Sequence, residues 1–341
     1  MTYLKTKTTC QSRTIITVLL ASLFLVYGNA YGKDGFGLDE FKRPAEVITK
    51  PAQPYRTKFG NPIHVYTIKN SDNNQDASTV RFLIQGGLHG NELLASEYVG
   101  WLAKRFAKGE SLLNTINSGN VEIDFIPFAN PDGTIQFTRY NGNKINLNRN
   151  FGVLWGTTKE NPGPKAFSES ETRAIRDLLT TRNYAGSIDV HGYVNWVVIP
   201  TSPNDGLQGL PTVNKTRVEA YEKWRKSVER ETTKTMPGYQ VKTAGALGDG
   251  GAFEDYAWWG AGVPSACLEV FSEERYIAKT LAGKVFDWIT PSIFTRNRAD
   301  ASMTDTFLIY ESYMHGLFME ALKLRPEGSG NKELAGDILK K

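Results

Sequence analysis

His89 and Glu92 stand three residues apart in the stretch Gln85-Gly-Gly-Leu-His-Gly-Asn-Glu92. An imidazole and a carboxylate at that spacing supply two ligands of a zinc site that holds three protein groups and keeps one position open. His191, between Ser187-Ile-Asp-Val190 and Gly192, supplies a third. The chain has four histidines. His64 falls in an alternating strand pattern and His315 in an amphipathic helical one, where a packed or surface imidazole is the expected role. Two histidines and a glutamate make a known ligand set of zinc hydrolases. Such a site polarises a carbonyl and acidifies water, and it also needs a base to move protons. Glu269, in Ala266-Cys-Leu-Glu-Val-Phe271, is the candidate. A carboxylate in an apolar strand is costly unless it has a partner or a task.

Between the ligand histidines lies Thr138-Arg139-Tyr-Asn-Gly-Asn-Lys-Ile-Asn-Leu-Asn148-Arg149-Asn-Phe151. Arginine is the natural fork for a carboxylate, and asparagine beside it adds a neutral donor. A site that holds a terminal carboxylate and stabilises an oxyanion needs both. Taken alone, a segment of this composition is more often a solvated turn.

The elements that must carry these groups follow from the pattern. Thr79–Ile84 reads as a strand, glycines at 86, 87 and 90 as a sharp turn, and Leu93 to about Lys108 as a helix. Strands are expected over 61–69, 121–128, 187–190, 196–199 and 264–271. Asn130-Pro-Asp-Gly133 is a strong turn signal. Ser168 with Glu171 reads as a capping pair before a helix to about Thr181. Further helices are expected over 213–234, 273–289 and 304–324. Strands alternating with helices predict an α/β sheet covered on both faces, and both ligand histidines fall at strand ends.

Residues 1–30 read as a secretory signal peptide. Lys5, Lys7 and Arg13 lead an apolar core from Ile15 to Val26, and Gly28-Asn29-Ala30 offers a small-x-small cleavage site. Without this leader, which carries three basic residues and no acid, the formal charge of +4 falls to +1. Nothing in that balance points to a nucleic-acid partner. Cys10 leaves with the leader, so Cys267 is the one thiol left and no internal disulfide is expected. Residues 31–60 read as a polar surface arm, 61–326 as the catalytic domain and 327–341 as a flexible tail.

The set H-x-x-E, N-P-D-G, T-R-x-N with L-N-R-N-F, S-E-x-E-T, a strand-end histidine and a late-strand glutamate resembles the zinc metallocarboxypeptidases. The spacing is especially similar to the short bacterial branch that includes murein-peptide amidases. The resemblance covers roughly residues 60–290. It implies a mixed, mostly parallel eight-stranded twisted sheet flanked by helices, and one Zn²⁺ per chain. By position it implies that His89, Glu92 and His191 are the ligands and that Glu269 is the general base. It further implies that Arg139 polarises the scissile carbonyl, and that Asn148 and Arg149 grip the substrate's terminal carboxylate. The digestive members' mobile tyrosine falls near Ala246 and looks absent, with Tyr193 or Tyr256 as a replacement. Phe253 falls near the residue lining the side-chain pocket. The expectation is therefore a secreted carboxypeptidase of the bacterial periplasm acting on peptidoglycan stem peptides. Two alternatives are an acyl-amino-acid deacylase of the aspartoacylase or desuccinylase type, and an inactive cell-wall binding module.

Overall fold

The computed structural model describes residues 45–70, 79–158, 160–205, 210, 215–272 and 301–324. The expected leader, the beginning of the arm, residues 71–78, the helix expected over 273–289 and the tail lie outside them.

Eight strands form one sheet in the order β1-β2-β4-β3-β5-β8-β6-β7. They are β1 (Ala45–Arg56), β2 (Pro62–Asn70), β3 (Val80–Gly86), β4 (Val121–Ile126), β5 (Gly186–Tyr193), β6 (Trp196–Ile199), β7 (Gln240–Thr243) and β8 (Ser265–Ser272). The central pairs β4–β3, β3–β5 and β5–β8 are parallel, as is β6–β7. The remaining pairs, β1–β2, β2–β4 and β6–β8, are antiparallel. Phe82, Leu83 and Ile84 are consecutive on β3 and all fully buried. Neighbours in a strand point to opposite faces, so the sheet centre is covered on both sides, as apolar parallel strands require.

The described helices are α1 (Leu93–Ala107), α2 (Pro131–Gln136), α3 (Ser170–Thr181), α4 (Lys215–Thr235) and α5 (Ala301–Lys323), with shorter turns between them. Leu94, Tyr98, Val99, Leu102 and Phe106 form the buried stripe of α1. Phe318 of α5 stacks on Phe82 of β3 with ring centres 4.0 Å apart. Trp224 of α4 is buried and donates its indole N–H to the Ser265 carbonyl at 2.8 Å, which docks that helix beside β8.

Three local expectations are corrected. Part of the expected surface arm, Ala45–Arg56, pairs along β2 as an edge strand. Its two prolines, Pro51 and Pro54, disguise the pattern, yet an edge is where a strand tolerates them. Asn130-Pro-Asp-Gly133 opens a short helix rather than a simple turn: Asn130 accepts from the Gly133 N–H at 2.9 Å and Pro131 takes the first helical position. Ser168 does not cap α3. Its N-cap is Glu169, with no side-chain cap, and Asn150 Oδ1 instead ties this end down by receiving the Glu169 N–H at 3.2 Å and the Thr172 hydroxyl at 2.7 Å.

Candidate metal centre and substrate anchor

β3 and β5 are parallel neighbours, so their C-terminal ends open at one rim of the sheet. The turn after β3 places His89 there, and β5 places His191. Gly90 makes the first placement work: a side-chain carbon at that position would collide with the backbone of Gly133. Glu92 occupies the N-cap position of α1 but caps nothing, because its carboxylate is turned to the two histidines.

Their geometry converges. His89 Nδ1 lies 2.8 Å from Glu92 Oε1, and His191 Nδ1 lies 2.9 Å from Glu92 Oε2 and 3.0 Å from His89 Nδ1. One ligand atom from each of the three residues falls within 4.8 Å of the others, and all three residues are buried. Behind them, His89 Nε2 faces Asn146 Oδ1 at 3.2 Å and His191 Nε2 faces Asp189 Oδ2 at 2.7 Å. Both partners are acceptors, which assigns the ring protons to Nε2 and leaves the Nδ1 lone pairs pointing inward. Two lone pairs and a carboxylate crowded together repel unless a cation lies between them. The donor set and its backing therefore fit zinc.

The charges agree. Burial holds His89 near a pKa of about 4, so its imidazole is neutral, as a ligand must be. Burial opposes the charge on Glu92 as well, but the two imidazoles outweigh it and hold the carboxyl well below the usual range. His191 departs in the other direction: burial lowers its pKa, but Asp189 on one side and Glu92 on the other outweigh it and raise it well above the ordinary value. Here the two acids draw in a proton where a bound cation would compete for the same place. Asp189 itself is pushed up by burial, with His191 opposing.

Glu269 pairs in register with His191 across β5 and β8, so both side chains stand on the same face. Its Oε2 is sealed from solvent without a hydrogen-bond partner. Burial first, and then the Glu92 carboxylate, push its pKa up to about 8 against the pull of His191 and Arg139. This is a carboxylate beside the metal triad with an appetite for a proton.

Arg139 is partly exposed and donates from Nη1 to Glu92 Oε1 at 3.3 Å, with the same atom 3.0 Å from His89 Nδ1. Arg149 is buried; it donates to the Asn148 carbonyl at 2.7 Å, pairs with Asp249, and keeps a buried Nε without a partner. Gly251, at a φ of +80°, lets that chain pass against the Arg149 carbonyl where a side-chain carbon would clash. Asn148 Oδ1 accepts from the Phe253 N–H at 2.8 Å, which fixes its amide. Its Nδ2 stands 3.5 Å from His191 Nε2. The three candidate ligands, Glu269 and both arginines thus come together at one rim.

Two other expected site residues sit differently. The Phe253 ring is completely buried, edge-on to Phe151 with centres 5.7 Å apart, and offers no accessible wall. Tyr193 is half-buried on β5, with its hydroxyl donating to the Asn91 carbonyl at 3.3 Å. His64 and His315 lie outside the cluster, as expected; His315 contacts Thr115 at 3.3 Å. Sequence reading missed Asn146, Asp189, Glu160 and Asp249. Asp189 had a legible signal, since it precedes His191 by two on a strand and so shares its face.

A family model described as zinc carboxypeptidase matches residues 43–283. Carboxypeptidase B of Helicoverpa zea is 27% identical over 235 residues, which are 58% of this chain and 52% of that protein. Carboxypeptidase D of Anas platyrhynchos is 26% identical over 194 residues, 52% of this chain and 13% of that protein. The chain thus spans about half or less of these relatives' length. The solved carboxypeptidase A of Helicoverpa armigera superposes with a TM-score of 0.57 at 23% identity, covering 83% of this chain and 71% of that one, a likeness of fold.

Proposed function

The chain belongs to the zinc carboxypeptidase family, and from that membership we propose that it removes the C-terminal residue from peptides. The observation that carries this reading is the convergence of His89, Glu92 and His191 within 4.8 Å, with Glu269 in register beside them.

His89, Glu92 and His191 would hold zinc, which in such a site polarises the scissile carbonyl and acidifies water. Glu269 takes the proton from the attacking water and returns it to the departing amine; a carboxyl drawn up to about 8 suits both halves of that task. Arg139, partly exposed at the rim, donates to the carbonyl oxygen as charge develops there. Arg149 and Asn148 receive the peptide's terminal carboxylate, and the free buried Nε of Arg149 is a donor ready for it.

The substrate we assign is the stem peptide of bacterial peptidoglycan, met in the periplasm. The support is the leader-like composition of residues 1–30 and the motif spacing, rather than any pocket residue. The test is direct. Purified muropeptides are digested beside N-blocked dipeptides with free or amidated C-termini, and the product masses are read. Loss of one C-terminal residue from free termini alone is expected. Release of an amino acid from an N-acyl amino acid, with no peptide cleaved, would overturn the reading.

A further inference from the structure

The substrate anchor already holds an anion of the protein's own. Glu160 accepts from Asn146 Nδ2, its Oε2 lies 3.6 Å from Arg139 Nε, and its Oε1 lies 3.6 Å from Arg149 Nη2. These are the two arginines assigned above to the carbonyl and the terminal carboxylate. Glu160 is the one acid in the stretch 152–168. That stretch is fastened to the site: Asn150 Nδ2 donates to the carbonyls of Pro162 at 2.7 Å and Lys165 at 3.1 Å, and Trp155 donates to Pro162 at 3.1 Å. The backbone is thereby held, while the Glu160 side chain keeps 38% of its surface in solvent and can turn outward.

We propose that Glu160 is a specificity-determining residue: its carboxylate is an internal ligand of the Arg139–Arg149 anchor, and a peptide's terminal carboxylate binds by displacing it. The proposal rests on the reading of the anchor given above. Charge bookkeeping supports it. Besides Glu92, which belongs to the metal cluster, the two arginines face two acids, Glu160 and Asp249. When Glu160 swings to water, one cation is released, which matches one incoming carboxylate. A second carboxylate on the terminal residue finds Asp249 instead of a free arginine and is disfavoured by like charge. An amidated terminus gains nothing from the exchange. The anchor therefore selects free C-termini whose last side chain is not acidic.

The experiment measures kcat and KM for Glu160→Gln and Glu160→Ala on N-blocked dipeptides ending in a neutral residue, an acidic residue or a neutral amide. Removing the internal competitor lowers KM for the free neutral terminus about tenfold, the scale of one charge-assisted contact. The acidic terminus gains more, the amide gains nothing, and inhibition by the released amino acid tightens in parallel. The change lies in KM rather than kcat, a split that a merely structural side chain would not produce. If the protein distinguishes free from amidated termini but neither variant lowers KM, Glu160 is not the competitor and the anchor reading stands. If free and amidated termini are cleaved alike, the anchor reading falls first.

Discussion

Asp189 Oδ2 stands 2.7 Å from His191 Nε2, two residues earlier on the same strand. The pleat of β5 sends both side chains to one face, so the carboxylate fixes the imidazole from behind and turns Nδ1 to the metal position. Asp189→Ala should weaken zinc affinity by about 10–100-fold, the usual cost of losing such support. Competition with a chelator, followed by metal analysis, reads it out. Unchanged retention would mean that the ring needs no such brace.

Glu269→Gln keeps the shape of the site and removes the proton acceptor. Turnover should fall by at least about 10²–10⁴ while zinc content stays the same. A variant within a few-fold of the parent would show that the base lies elsewhere.

Arg149→Gln should raise KM for free C-termini by about 10–100-fold, the value of a charge-assisted contact, and leave amidated peptides nearly untouched. Thermal stability should fall too, because Asp249 loses its ion-pair partner. Equal losses on both kinds of peptide would end the anchor assignment.

Away from the site, Glu171 is fully enclosed and accepts from Asn141 Nδ2 at 3.3 Å. Burial, with Glu169 adding to it, draws its carboxyl up to about 7 from the ordinary 4.5. The folded protein therefore binds this proton more tightly than the unfolded chain does. Its contribution to stability is full below pH 4.5, falls as pH rises and is gone above about 7, a total change of about 3 kcal/mol. Glu171→Gln should raise the midpoint of thermal unfolding at pH 8 and change it little at pH 5, as calorimetry would show. A gain of the same size at both values would contradict this.

The centre of the sheet was readable because parallel strands buried on both faces are continuous apolar runs ending at glycine turns. The metal ligands were readable for the same reason, since strand ends are where a lone histidine has little else to do. The edge strand β1 was hidden because its prolines suppress the pattern while costing an edge little. The start of α3 was misread because the group that ties it down is Asn150, 19 residues from the Glu169 amide that it receives. Phe253 was placed at a wall by its position in the motif, but its neighbour Phe151 claims the ring for the core. Glu160 and Asp249 lie in loops with no periodicity, and only tertiary folding brings them to the arginines.

The close approach of Gly90 to Gly133 has a consequence for re-engineering. The loop bearing the first ligand and the one opened by Asn130 touch main chain to main chain, so neither can be lengthened or bulked up without dragging His89 off its mark. Variation in what the protein accepts is then best made at the side chains of Glu160 and Asp249, with Asn146, which joins Glu160 to His89, left in place.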